Sequence, residues 1–509
     1  MKGTNTGVAR DNTGLEKGLG LVDSTMIVMG SMIGSGIFIV SADIAGQVRS
    51  PALLLAVWVA TGLMTLVGAL SYGELAAMMP QAGGQYVYLR ESLGPLWGFL
   101  YGWTMLLVIQ TGTIAAVGIA FAKFTGVMFP RFSASSWIWK LGTLGPYHLW
   151  FGELGPYNVG LNTQNLLAIA SILFITWINT RGLRLGAMVQ NVFTFAKTGA
   201  LAALVLLGFW FSTQVARTAN FTSFWRGAGL GVSHPYPPDH PAWMVSTITL
   251  IGVAMVGALF SSDAWNNVTF TAGEVRRPSR DLPLSLALGT LIVTSLYTLA
   301  NVAYLRVLPL SGDPHGTTAL ARGIQYATDG RVGTAVAEVV FGPAGAIVMA
   351  AAIAISCFGC NNGLILAGAR IYYAMSKDGL FFRGVGGVNA RRAPGVALWV
   401  QCGWASLLCL SGTYSQLLDF LIFAVLIFYI LTLSGLFVLR WKRPDAPRPY
   451  RAIGYPVLPA LYLVMAVFIE VQLLRYKPQY TWPGLIIVLL GMPVYFLWRR
   501  ISPNAVAAE

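Results

Sequence analysis

Charge is what this sequence most lacks. Only 10% of its 509 residues are Asp, Glu, Lys or Arg, while 56% are hydrophobic. An average soluble domain carries roughly 25% charged residues, so composition excludes a soluble globule and points to a chain embedded in a bilayer. Cysteine is nearly missing as well. Cys357, Cys360, Cys402 and Cys409 all fall inside apolar runs, which leaves no extracellular disulfide framework. Cys357 and Cys360 have the spacing of a redox or zinc pair, but no histidine lies near them and small-residue packing accounts for them better. His148, His234, His240 and His315 lie in loops at spacings that fit no metal motif. There is no HExxH, no GxSxG and no pair of carboxylates placed for acid–base work. The chain is therefore read as neither an enzyme nor a holder of a metal or cofactor.

Long apolar runs are what the sequence does have. Twelve are read at 22–45, 51–79, 95–124, 163–180, 185–211, 242–273, 282–308, 343–375, 394–411, 416–439, 455–474 and 481–498. The expected fold is an all-α integral membrane protein with twelve transmembrane helices. The polar segment 1–20 leads straight into the first run rather than into a short apolar core with a cleavage site, so no cleavable signal is expected. The net charge of +14 could suggest nucleic acid. Placing the N-terminus inside, however, gives the inner loops twice as many basic residues as the outer ones. That excess orients the protein in its membrane and implies no nucleic-acid partner. Both termini are read as cytoplasmic, in a plasma or inner membrane.

Two of the runs are interrupted. The stretch VMGSMIGSGIF at 28–38 places Gly30, Gly34 and Gly36 in mid-helix, where each costs about 1 kcal/mol relative to alanine. Gly30 and Gly34 match the small-xxx-small pattern that brings two membrane helices close. Alternatively the helix comes apart there. The sixth run, GALFSSDAWNN at 257–267, carries an aspartate and two asparagines. Such an aspartate facing lipid costs on the order of 2.5–3.5 kcal/mol, so a polar cavity is expected beside it. Interrupted segments in corresponding halves are the signature of an inverted-repeat transporter with a site at mid-membrane. The organisation is read as a tail (1–20), a first repeat of five spans (21–211), an outer loop (212–241), a second repeat (242–440), a loop with two appended spans (441–498) and a tail (499–509). No repeat is visible residue by residue, so the symmetry comes from hydropathy alone.

Four motifs, in order, carry a resemblance. They are GSGIF at 34–38, SYGELAAMMPQAGGQYVYL at 71–89, the stretch from WNN at 265–267 through EVRRPSRDLP at 274–283, and RWKRPDAPRPY at 440–450. Together they resemble the amino acid–polyamine–organocation superfamily, in particular its L-type amino acid transporter branch, over nearly the whole chain. The resemblance implies a 5+5 inverted-repeat fold with broken helices one and six. It also implies a secondary-active amino acid transporter, most readily a sodium-independent exchanger of L-amino acids.

An amino acid's head group needs donors for its carboxylate and acceptors for its ammonium. A break at 33–36, through Ile33, Gly34, Ser35 and Gly36, exposes amides at the start of the outer half-helix. Carbonyls near Phe260 and Ser261, with those ending the inner half of helix one, would take the ammonium. Phe260 matches the family's aromatic gate. The resemblance further implies that Lys197 faces the broken first helix where relatives hold sodium; the alternative is a lysine snorkelling to the surface. Thr113, Tyr297 and Cys360 match side-chain-pocket positions, with Asn301 as polar support. Asp263 departs from the pattern, as do Ser262 and Ala264. It either attracts a cationic substrate side chain or caps the break and pairs with a polar group.

The segment 126–162 has no cysteine, so no disulfide-linked heavy chain is expected, and the protein is read as a stand-alone monomer or homo-oligomer. Two other functions stay open. One is proton-coupled uptake of amino acids or polyamines, with Asp263 or Glu274 titrating. The other is a membrane sensor that binds amino acids without moving them, although the short tails carry no signalling domain.

Overall fold

A computed structural model describes residue 15 and residues 17–501, apart from 150–151, 155–156, 227, 230–232, 236–243 and 411–413. The expected terminal tails lie largely, and His240 wholly, outside the described residues. In hydrocarbon every backbone polar group must find a partner within the chain, so apolar runs become helices. Among the described residues helix forms in each of the twelve expected runs, although the sixth opens with the short strand Met244–Ser246. The first is α1 (Leu21–Met32) with α2 (Gly36–Val48); α3 (Pro51–Met78) and the short α4 (Gln85–Leu93) follow. The third run is α5 (Pro95–Thr104), a π-helical turn over Met105–Ile109, and α6 (Gln110–Met128). Then come α7 (Thr163–Thr180), α8 (Leu183–Trp210), the loop helix α9 (Gln214–Phe221), α10 (Thr247–Ser261) and α11 (Asn267–Phe270). The remainder is α12 (Pro278–Val307), α13 (Ala319–Arg322), α14 (Val332–Phe341), α15 (Pro343–Lys377), α16 (Gly395–Leu408), α17 (Tyr414–Lys442), α18 (Val457–Tyr476) and α19 (Pro478–Ile501).

Among the described residues eight helices are long and apolar enough to cross a membrane, and the pair α1–α2, bent by 40°, makes a ninth if taken as one span. The runs at α7, α10 and α16 are helical but do not meet that length-and-hydropathy test, so the count of twelve spans rests on helicity alone. The loops hold structure that hydropathy does not register. Strands β1 (Trp137–Leu144) and β4 (Tyr157–Asn162) pair antiparallel, with β2 (Tyr147–Leu149) and β3 (Gly152–Leu154) between them.

The two interrupted helices lie together in the core. Helix α2 packs on α10, and α1 lies against α8, α12 and α15. On the face that carries the N-terminus, Gly18 and Leu19 donate their amides to the Glu274 carbonyl at 3.0 Å each, and Arg276 returns one to Leu19 at 2.9 Å. The motifs that carry the resemblance supply the carboxylates of the buried ion pairs on this face. Glu274 accepts two hydrogen bonds from Arg370, at 2.8 and 3.0 Å. Glu74 accepts from Arg440 at 2.9 and 2.6 Å and from the Ala452 amide at 2.7 Å, with Arg448 3.2 Å away. Removing one partner of such a buried pair costs about 3–5 kcal/mol. Glu274 is thus tied to an arginine.

Candidate functional site

Helix α1 stops at Met32 because Ile33 turns to extended backbone, φ −76° and ψ 92°, and α2 restarts at Gly36. A helix end leaves carbonyls without partners. Here five successive ones are met by side chains from three other helices. Lys197 donates to Gly30 at 2.5 Å and to Ile33 at 2.7 Å. Cys360 donates to Ser31 at 3.0 Å, and Tyr297 to Met32 at 2.9 Å. Ser356 donates to Ile33 and Gly34, at 3.2 and 3.1 Å. Lys197 is 1% exposed, which removes the snorkelling alternative. Its ammonium sits where the negative end of the α1 dipole points.

The helix comes apart between Met32 and Gly36, and the glycines on either side serve close packing. A Cβ on Gly30 would lie 1.8 Å from Gln190 Nε2, so Gly30 serves close packing against α8. A Cβ on Gly36 would lie 2.3 Å from Ser261 Oγ and 3.0 Å from its Cα. The bare face of Gly36 therefore admits the end of α10. The amides of Gly34 and Gly36 donate to no acceptor among the described residues.

The second break is built differently. Helix α10 ends at Ser261, and residues 262–266 run without regular helix into α11. The Phe260 carbonyl accepts the Asp263 amide at 3.2 Å, while that of Ser261 accepts nothing among the described residues. Ala264 has φ +64°, a left-handed conformation that strains any residue with a Cβ. Side chains anchor this linker. The Tyr429 hydroxyl donates to Asp263 Oδ1 at 2.6 Å. Asn266 donates to Gln85 Oε1 at 2.7 Å, and Gln85 donates on to the Phe428 carbonyl and Thr432. The Trp265 ring packs edge-on to Tyr72 at 4.8 Å and against Tyr429 at 5.3 Å.

Between the breaks lies a small cavity. Its walls include the expected Gly34, Ser35, Gly36, Thr113, Phe260, Ser261, Asp263 and Cys360, together with Ser31, Met32, Val117 and Ala264, which were not expected. Four expected residues stand off it. Ile33 is fully buried and its carbonyl already accepts two hydrogen bonds, so the reading of Ile33 as a substrate contact is corrected. Tyr297 is no pocket wall; it caps Met32 and packs edge-on to Trp58 at 5.6 Å. Asn301 accepts from Ser41 at 2.7 Å and donates to the Tyr297 carbonyl at 2.9 Å, behind that tyrosine. Lys197 reaches the carbonyls of α1 rather than the cavity. Asp263 pairs with Tyr429, as one of its sequence readings expects, and it also lines the cavity. Ser356 was overlooked, although it lies one helical turn before Cys360 and so on the same face of α15.

The sequence profile of the amino acid permease family matches residues 19–495. Human b(0,+)-type amino acid transporter 1 is 29% identical over 495 residues, covering 96% of this chain and 88% of that protein. The rabbit (Oryctolagus cuniculus) large neutral amino acids transporter small subunit 2 is 30% identical over 484 residues, covering 95% and 80%. Mouse Asc-type amino acid transporter 1 is 28% identical over 506 residues, covering 96% and 83%.

Proposed function

The chain belongs to the amino acid permease family, and from that premise we propose that it is a sodium-independent exchanger of L-amino acids working by alternating access. One observation carries the reading: two helix breaks face each other across a buried cavity, offering unpaired amides on one side and an uncommitted carbonyl on the other. The substrate carboxylate binds the amides of Gly34 and Gly36 at the positive start of α2. Its ammonium binds the Ser261 carbonyl, because the break-one carbonyls already accept side-chain donors. Charge-assisted hydrogen bonds of this kind are worth about 1.5–3 kcal/mol each, enough to hold a zwitterion and still release it.

Sodium independence follows from Lys197. A fixed ammonium on the Gly30 and Ile33 carbonyls does the electrostatic work that a bound cation would otherwise do. The repeats 21–211 and 242–440 meet at the breaks and rock against each other around the site. Phe260 closes over the substrate from the end of α10. Asp263 adds a carboxylate that favours a cationic side chain. We further propose cytoplasmic termini, in keeping with the basic inner loops. The protein operates without a disulfide-linked partner, since its cysteines are all buried in helices or at a helix end.

The test is counterflow in proteoliposomes. Liposomes loaded with unlabelled alanine or arginine should take up the labelled amino acid at equal rates in sodium and in choline buffer. Uptake into empty liposomes driven by an imposed pH gradient would overturn exchange in favour of proton symport. Binding without any flux would indicate a sensor.

A further inference from the structure

Strands β1 and β4 form a ribbon that leaves α6 at Met128 and returns to α7 at Thr163. It follows the third run and so lies on the face opposite the N-terminus. The ribbon does not stand away from the helices. The Gly160 amide of β4 donates to the Leu410 carbonyl, just past the end of α16, at 3.2 Å. The backbone of β3 lies against α19. Both helices keep apolar side chains exposed near these ends, Trp404 and Leu407 on α16 and Ile486 on α19. In a membrane-spanning helix that flank faces lipid.

The ribbon continues the flank. Ile138, Trp139, Leu141, Leu144, Tyr147 and Leu149 are each 44–62% exposed. Ile138 and Leu141 are the two β1 residues that the pairing passes over, where the register shifts between Trp137 and Trp139 and between Lys140 and Gly142. Such bulges re-aim side chains, and here both extra residues are large aliphatics. The four consecutive residues 138–141 are all exposed. Successive residues of a strand serve opposite faces, so the described residues cover neither face of β1.

A two-stranded ribbon is at best marginally stable in water, and a contiguous apolar patch of this kind marks an interaction surface. The choice of partner follows from the two-sided exposure. A second copy of the chain, or another protein, would cover one face and leave the other wet. A fluid layer envelops both. The composition agrees, because Trp and Tyr settle at the level of lipid headgroups. Lys140 holds its ammonium 5.6 Å from the centre of the Trp137 ring, so the charge sits at the same level as the aromatic groups.

We propose that the β1–β4 ribbon is an interfacial anchor, immersed in the headgroup layer of the phospholipid leaflet opposite the N-terminus. It joins the outer ends of α6, α7, α16 and α19 to that layer. The inference is independent of what the protein transports.

The cysteines of the chain are buried, so a thiol-reactive nitrobenzoxadiazole dye marks an introduced one selectively. Leu141→Cys carries the dye into the ribbon. Thr317→Cys, exposed in the loop between α12 and α14, is the aqueous reference. Each full-length variant is placed in phosphatidylcholine nanodiscs containing a lipid with a nitroxide near its headgroup. The nitroxide should quench the dye at position 141 at least about twofold more than at 317, and aqueous iodide should quench it correspondingly less. If Leu141→Cys does not elute as a monodisperse species, Ile138→Cys replaces it with the same expectation. Equal iodide quenching at the two positions overturns the proposal, because the ribbon then stands in water. Protection from both quenchers overturns it too, in favour of a protein covering the ribbon.

Discussion

The two helix breaks share one cavity and are held by opposite means. Break one is held through its backbone: Lys197, Tyr297, Ser356 and Cys360, from α8, α12 and α15, cap its carbonyls one after another. Break six is held through its own side chains, with Asp263 on Tyr429, Asn266 on Gln85 and Trp265 among aromatic rings. The difference separates two tasks. A break whose carbonyls are capped offers a ligand mainly its amides, and amides recognise the carboxylate that every amino acid has. A break held by side chains presents groups that vary with sequence. If the carboxylate binds as proposed, selectivity can change through the side chains of break six while carboxylate recognition at break one stays as it is.

The sharpest way to break this comparison is at Lys197. Lys197→Ala takes the donor from two carbonyls at once. The Gly30 carbonyl is left without a donor, at a cost of about 1–3 kcal/mol, while Ile33 keeps Ser356, so counterflow should fall by up to about a hundredfold for every substrate alike. Wild-type rates in the variant would show that break one holds its shape without the ammonium.

A smaller effect is expected where the breaks touch. Gly36→Ala forces a methyl against Ser261, including its Cα at 3.0 Å. Overpacking of this kind costs about 1–3 kcal/mol. Thermal unfolding in detergent should register that loss, with a matching rise in KM for alanine. At break six the change should instead be one of preference. Asp263→Asn removes the carboxylate from the cavity and should lower the arginine-to-alanine ratio in counterflow by about tenfold. If arginine and alanine fall together, Asp263 supports the linker and does not select.

How much of this was legible before the coordinates depends on whether the cause was local. The glycines at 30, 34 and 36 and the aspartate at 263 were visible because each is locally out of place in an apolar run. Lys197 was visible for the same reason. What could not be read was how distant segments meet. Tyr429 is an unremarkable aromatic in an apolar helix until it reaches Asp263, 166 residues away. Arg370 lies in an apolar run with nothing local to reveal its pairing with Glu274. Ile33 was assigned to the ligand because the break includes it. Only the convergence of Lys197 and Ser356 on its carbonyl removes it from the cavity. The left-handed turn at Ala264 was hidden as well, since alanine rarely marks such a position.

That turn provides the smallest and most discriminating comparison, because one methyl group should act with opposite sign at the two breaks. At Gly36 there is no room for it. At Ala264 there is room but the wrong backbone: φ +64° costs an L-residue about 1–2 kcal/mol. Ala264→Gly relieves that strain and gives back about 0.4–1 kcal/mol through the greater freedom of glycine in the unfolded chain. The balance is a stabilisation of at most about 1.6 kcal/mol, seen as a small rise in the thermal midpoint of the detergent-solubilised protein. A fall in that midpoint would mean that the Ala264 methyl makes contacts worth more than the strain. Break six would then depend on packing at the turn itself as well as on the side chains that anchor it.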